Sequence, residues 1–424
     1  MEIRKPFARL VLWEYFWLSL IVIITFILHV SVITRPADLI LDEQHYVPAA
    51  RSIIENRTDP RPEHPTLGKL LLAGSILSFG DNPVGWRAFS VLFGTLDIIF
   101  LFLICRRLRM NRRATNIAVF FFGFENMTFI QASVAMLDVY FFTFMLASFW
   151  LYLRKNYSLS AISLALSALC KLTGALGAGA IGMHWLITNW ATVKETLDGI
   201  AARALKTPLL RRLRPDFNFE LASNSQAWWK TADFIASMLL APFTFLVFMP
   251  VCDLIAIREF TNPVWRVKEM LSLMSTLTFA TTKHDSLSRP WEWLYNPTPM
   301  PYWYTPNYSG GISWTVWALI IPAVIYLAYR MFKGNNAATF AFWWFVFTYV
   351  TWIPASLLTD RISFVFYFYP TIGAVCIGIG LAFSRLLKCA RRKKNAWQWV
   401  IPALIGMLMV GHLVFLAFFG PMFT

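Results

Sequence analysis

The chain has 424 residues; 57% are hydrophobic, only 14% are charged, and Phe alone contributes 38. A soluble domain is nearer half apolar and a quarter charged, so this composition excludes a cytosolic enzyme and a disordered chain. The net charge of +15 is carried by Lys and Arg placed between apolar runs, a membrane-topology pattern that gives no reason to expect nucleic acid. The five cysteines lie in or beside apolar runs and read as small buried hydrophobes, not as a disulfide framework.

A membrane-crossing helix needs about 20 mostly apolar residues. Eleven segments qualify, roughly 10–34, 88–105, 115–132, 137–153, 158–172, 175–190, 232–256, 311–329, 337–358, 362–384 and 396–420. The fifth and sixth are short and share Gly174, Gly177 and Gly179, which predicts a tight helical hairpin. There is no internal repeat, and the first run is too long for a cleavable signal peptide. Lys and Arg concentrate before the first run, in RRLRMNRR, in 191–231 and in 385–394. That partition predicts a cytoplasmic N-terminus, alternating spans and an outer C-terminus. Two long outer segments follow, 35–86 and 257–310, together with one basic inner segment, 191–231, expected to rest on lipid headgroups. Within the first outer segment, apolar spacing predicts amphipathic helices over 46–54 and 70–79.

The unusual polar residues gather in the outer segments or beside them. Asp42 and Glu43 are adjacent carboxylates just after the first span, and neighbouring helical positions point about 100° apart. One can therefore face a cleft while the other organises the loop; alternatively, the pair is a solvated loop with a helix-capping acid. Asp42, Glu43 and His45 are the nearest approach to a metal cluster, but no spaced Cys/His set accompanies them. Glu125 and Asn126 interrupt the third span, Asp97 lies within the second, Asp138 opens the fourth, and Lys171 lies between the fifth and sixth. Ionisable groups there are costly and usually face a cavity or pair, although Asp138 and Lys171 could also snorkel to the interface. The second outer segment is dense in Trp, Tyr and Pro, which suits either a sugar-binding wall or an interfacial belt. No GxxxxGK[ST] pattern is present, so no P-loop nucleotide site is indicated.

Seven motifs in register carry a family resemblance. They are Asp42-Glu43-Gln44-His45-Tyr46; His64-Pro65-Thr66-Leu67-Gly68-Lys69; Gly80 through Arg87, reading GDNPVGWR; Glu125-Asn126 followed by Leu137-Asp138; Lys171 through Gly174; His284 through Trp293, with Arg289 and Trp291; and Arg361 through Pro370. Together they resemble the protein O-mannosyltransferase family, membrane glycosyltransferases of the GT-C fold. Thr66, Leu172 and Phe368 depart from the family's Pro, Trp and His, and 257–310 is too short for the family's MIR domain. The chain therefore resembles a minimal prokaryotic-type member.

The resemblance implies an all-α polytopic GT-C domain over 1–424 with about eleven transmembrane helices, in the plasma membrane, with its active site on the outer face. It implies inverting transfer of mannose from a polyprenyl (dolichyl) phosphate carrier to Ser or Thr hydroxyls of a protein acceptor. Asp42 is then the first candidate for general base, with Glu43 shaping the site or holding the acceptor. Arg87 would fix the acidic loop or meet the phosphate; Lys171, Arg289 and Arg361 are further phosphate candidates. Asp138 and Glu125 would orient or neutralise these cations, and His45, Tyr46, His64, Lys69, Asn126, His284 and Trp291 would support the site. No metal or cofactor is required beyond the lipid-linked donor; a divalent ion at the carboxylates and a dimeric state are left open. A GT-C transferase acting on a lipid or polysaccharide shares the same requirements. A transporter fits less well, because the polar residues gather at one face and no paired halves are seen.

Overall fold

A computed structural model describes residues 15–204, 225–296, 298–303, 308–392 and 395–421. The start of the first apolar run, the middle of the basic segment 191–231, residues 304–307 and the end of the C-terminal tail lie outside the described residues.

In chain order the helices are α1 (Phe16–Val32), α2 (Glu43–Asn56), α3 (Leu67–Phe79), α4 (Pro83–Arg107), α5 (Arg112–Gly123), α6 (Asn126–Ser133) and α7 (Leu137–Leu153). Next come α8 (Tyr157–Cys170), a 3-10 turn Leu172–Leu176, α9 (Gly177–Thr188), α10 (Trp190–Ala204), α11 (Ser225–Met238), α12 (Leu240–Ile257) and α13 (Pro263–Ser275). The remainder comprises α14 (Glu292–Tyr295), strands β1 (Met300–Trp303) and β2 (Tyr308–Gly310), then α15 (Trp314–Phe332), α16 (Asn336–Phe345), α17 (Trp352–Thr359), α18 (Ile372–Arg392) and α19 (Trp397–Phe419). The strands form an antiparallel hairpin in which Met300 faces Gly310.

The described parts of all eleven expected apolar segments are mostly helical. Among the described residues, five stretches are long and apolar enough to cross a membrane by length and composition, or six if α6 and α7 form one broken span. The other apolar helices, including α1 and α8, are shorter, so length alone does not identify them as spans. The chain is a multi-pass membrane protein whose core is built around α18, packed against α5, α15, α16 and α19. A Cβ on Gly380 would lie 2.4 Å from the Ala114 carbonyl oxygen, so glycine is what lets α5 and α18 approach so closely.

Two local expectations are corrected. The run 115–132 is not one helix: α5 ends at Gly123, Glu125 caps α6 by accepting the Thr128 N–H at 3.1 Å, and α6 meets α7 at 113°. A side-chain acceptor at Glu125 offers that amide an alternative to the helical ladder, which lets a new helix start there. Nor do α8 and α9 pack as a tight hairpin. They splay from the 3-10 turn, α8 against α7 and α12, α9 against α16. Their divergence leaves room beside Lys171 and Leu172 for a cavity.

The segment 35–86 does hold two helices, α2 and α3, each longer than the apolar spacing alone predicts. GDNPVGWR makes a tight corner into α4. Asn82 Oδ1 accepts the Val84 and Gly85 N–H groups at 3.0 and 3.2 Å, and Pro83 opens the helix. Gly80 has φ +88°, and a Cβ on Gly85 would lie 1.7 Å from the Gly80 carbonyl oxygen.

Candidate active site

The two adjacent carboxylates have different surroundings. Glu43 opens α2 and is fully buried. Arg87 Nε and Nη2 donate to its two oxygens, both at 2.8 Å, in a bidentate pair. The Ile40 and Ala135 amides donate to the same carboxylate at 3.1 and 2.8 Å. The remaining Arg87 donors reach the carbonyls of Ile33, Pro36 and Asp38. Ala135 lies in the break between α6 and α7, so Glu43 satisfies an amide freed by that break. Non-helical backbone at membrane depth needs such a partner. Arg87 thus fixes the acidic loop and does not line the cavity.

Asp42 instead lines a cavity of about 570 Å³. Its side chain makes no capping bond to α2. Burial raises its pKa above the ordinary carboxylate value, the Lys171 charge pulls it back down, and the Asp138 charge adds to the rise. Lys171 lies in the same cavity wall, its ammonium donating to both Asp138 oxygens at 2.9 and 2.8 Å. This answers the snorkelling alternative: Asp138 and Lys171 pair with each other, both nearly buried.

A narrower apolar slot of about 160 Å³ adjoins the cavity, with Phe141, Leu172, Leu176 and Trp352 in its walls. His64, Lys171, Arg361 and Tyr367 line both spaces and mark their junction. Burial, then the charges of Lys171, Lys69 and Arg361, push the His64 imidazole well below its ordinary pKa. Its Nδ1 is buried without a hydrogen-bond partner among the described residues. His45 and His284 also line the larger cavity, and Arg61 donates to His45 Nδ1 at 2.6 Å. Tyr46 is buried there, its phenol pushed up by burial and by the Asp42 charge.

The other sequence candidates stand behind this surface. Arg289 lines neither space; it donates to Ser356 at 3.1 Å and Asp360 at 2.6 Å, and its guanidinium lies 3.8 Å from the Phe279 ring centre. Asp360 is the left-handed cap of α17 and precedes Arg361, so Arg289 holds the corner that presents Arg361. Trp291 lies under the same guanidinium at 5.8 Å. Glu125 and Asn126 tether the hairpin: they accept the Ser313 and Gly311 amides at 2.5 and 2.9 Å. Gln131 donates to the Tyr302 hydroxyl at 2.9 Å. These bonds seat Tyr302 and Trp303 in the cavity wall. No cation bonds Glu125 among the described residues. Lys69 is fully buried and donates to Asp59 and to the carbonyls of Arg61 and His64.

Sequence reasoning missed that network's far side. Asp59 and Asp253 both pair with Arg266, at 3.4 and 3.6 Å, and Asp253 also accepts from Thr66 and Thr261. Asp253 is a carboxylate inside the apolar run 232–256, the same signal that drew attention to Asp97. Asp97 itself accepts from Thr143 at 2.6 Å and Tyr369 at 2.8 Å and is internal. Arg61, Glu63, Tyr302, Trp303 and Tyr367 also line the cavity. The aromatic density of 298–308 and 364–370 was the available signal for three of them. Among the described residues, no group of three or more His, Cys, Asp or Glu is placed to hold a metal ion.

The family model for dolichyl-phosphate-mannose-protein mannosyltransferase matches residues 75–260. Asp42 precedes that segment and Arg361 follows it. Over 165 residues the chain is 27% identical to a polyprenol-phosphate-mannose–protein mannosyltransferase of Corynebacterium glutamicum, a match taking in 36% of this chain and 32% of that protein. The chain thus spans about a third of the length of the curated relatives it matches. Its fold is similar to a chain of the Saccharomyces cerevisiae protein O-mannosyltransferase Pmt1-Pmt2 complex bound to the sugar donor, at TM-score 0.76, 12% identity, and coverage of 96% of this chain and 90% of that one. The Archaeoglobus fulgidus oligosaccharyltransferase shares it more distantly, at TM-score 0.53, 13% identity, 96% of this chain and 56% of that one. The chain is thus similar to dolichyl-phosphate-mannose-protein mannosyltransferases over 75–260, somewhat under half of its length, and shares its overall fold with the yeast protein.

Proposed function

We propose that this chain transfers mannose from a polyprenyl-phosphate carrier to Ser or Thr hydroxyls of proteins, with Asp42 as general base. The observation that carries the reading is the position of Asp42. It opens onto a cavity whose junction with an apolar slot bears Lys171 and Arg361. The slot suits the first units of a lipid tail, the two cations suit the phosphate, and the aromatic wall at Tyr302 and Trp303 suits a sugar face. Asp42 takes the acceptor hydroxyl's proton as the oxygen bonds to the anomeric carbon. The bond from that carbon to the phosphate oxygen breaks, and the departing phosphate keeps the electron pair beside Lys171 and Arg361. Glu43 serves differently: Arg87 and two amides occupy its carboxylate, so it holds the loop that presents Asp42.

The Lys/Arg partition supports placing this cavity on the outer face. Reporter fusions after Arg113 and at Thr424 should lie on opposite sides; the same side for both would refute the orientation. The activity is tested with radiolabelled polyprenyl-phosphate mannose and membranes carrying the chain. Label in protein, released as mannose by β-elimination, is expected. Label in the lipid or polysaccharide fraction alone would assign a different acceptor.

A further inference from the structure

At the far end of α1 and α18 from Asp42 lies a second recess, of about 1100 Å³, between α1, α5, α18 and α19. Five cations line it, Arg112, Arg113, Lys388, Arg391 and Arg392, and among the described residues no carboxylate does. Arg112 and Arg113 occupy the first turn of α5, which contains no acid. Cations there add to the positive end of the helix dipole, a field that draws anions. Lys388, Arg391 and Arg392 are exposed on the last turns of α18. Below the charges the recess becomes apolar, with Trp17, Ile24, Phe120 and Leu413 in its walls. Trp17 and Leu413 are 40% and 38% exposed, too open for a packed protein core. The Asn116 side-chain oxygen, also in this lining, is buried without a partner among the described residues.

We propose that this recess is a binding site for an anionic phospholipid, its phosphate among Arg113, Lys388, Arg391 and Arg392 and an acyl chain between α1 and α19. Charge complementarity selects the headgroup, since a recess lined by clustered cations attracts phosphate and gains nothing from a zwitterion's ammonium. The apolar depth selects a lipid over a free anion. Asn116 is placed to accept from a glycerol or headgroup hydroxyl. The site is independent of the transfer reaction: its α18 cations begin at Lys388, roughly 24 Å along the helix from Ile372, where α18 leaves the side of the Asp42 cavity.

The test is native mass spectrometry of the full chain in neutral detergent, offered equal phosphatidylglycerol and phosphatidylcholine, with thermal unfolding in parallel. One phosphatidylglycerol per chain should survive activation that strips phosphatidylcholine, and it should raise the unfolding temperature. The variant R113Q/K388Q/R391Q/R392Q should lose at least about tenfold in retention, each cation contributing a several-fold factor. R113K/R391K/R392K, which keeps the charge, should retain the lipid. K388Q/R391Q, confined to the exposed end of α18, provides the comparison if the fourfold variant fails to fold. Equal retention of both lipids, or no loss in either glutamine variant, would overturn the proposal. So would an equal thermal shift from inorganic phosphate alone, since the acyl half of the site would then contribute nothing.

Discussion

The two faces of the segment 35–86 use the same residue types for opposite ends. On the underside, Glu43 and Arg87 are locked together, and Asp59, Lys69, Arg266 and Asp253 form a second buried network. On the upper face, Asp42 lines a cavity and makes no capping bond, with Lys171 and Arg361 nearby. A buried charge without a partner is expensive, so the pairing beneath restrains the loop. The unpaired face is where a carboxylate can still take up a proton. The difference teaches that adjacency in sequence carries no shared role: one residue step turns a structural anchor into a candidate base.

The sharpest way to break this contrast is Asp42→Asn. Transfer should fall by roughly two to four orders of magnitude, the usual weight of a general base. Donor binding and the folded population should hold. Near-normal turnover of the labelled donor by well-folded variant would remove Asp42 from the role.

Arg87→Ala should act in the other way. It leaves Glu43 buried and uncompensated, a change that costs about 3–5 kcal/mol. Thermal unfolding in detergent should report that loss, with residual activity tracking the folded fraction. Arg87→Ala that is fully stable yet cannot bind donor would move Arg87 back to the phosphate.

Asn126→Ala sharpens the comparison at a distance. It removes the acceptor for the Gly311 amide, a buried bond whose loss costs about 1–3 kcal/mol. The expected result is a rise in KM with a smaller change in kcat, as the Tyr302 and Trp303 wall loosens. Unaltered kinetics with an unaltered unfolding temperature would separate the hairpin from the site.

The pH dependence should be the mildest signature. The folded-state pKa of Asp42 is raised, chiefly by burial. Its carboxylate form is therefore disfavoured by folding, and stability from this group declines as pH climbs from the ordinary Asp value towards the raised one. Asp42→Asn should consequently be no less stable than the parent at neutral pH. The acid limb of kcat/KM should lie above the ordinary Asp range in the parent and disappear from the residual activity of the variant. An acid limb at the ordinary Asp value would contradict the buried setting of this carboxylate.

Much of this protein was legible in one dimension. Apolar runs separated by Lys and Arg mark the helices because a bilayer demands length and hydropathy before any tertiary contact exists. The motifs likewise marked Asp42, Glu43, Arg87, Lys171 and Arg361 as residues with work to do. Roles were less legible, because role depends on what faces each side chain. Glu43 became an anchor only when Arg87 and Ala135, 44 and 92 residues away, converged on it. Arg289 proved to hold a neighbour's corner, and Glu125 with Asn126 to seat a hairpin some 185 residues downstream. The kink between α6 and α7 and the splay of α8 from α9, which open the cavity, follow from amides and helix faces satisfied by distant partners. Local propensity carries no term for such partners, so hydropathy determined where the helices lie, and long-range pairing of buried charge and backbone decided which of their residues face the cavity.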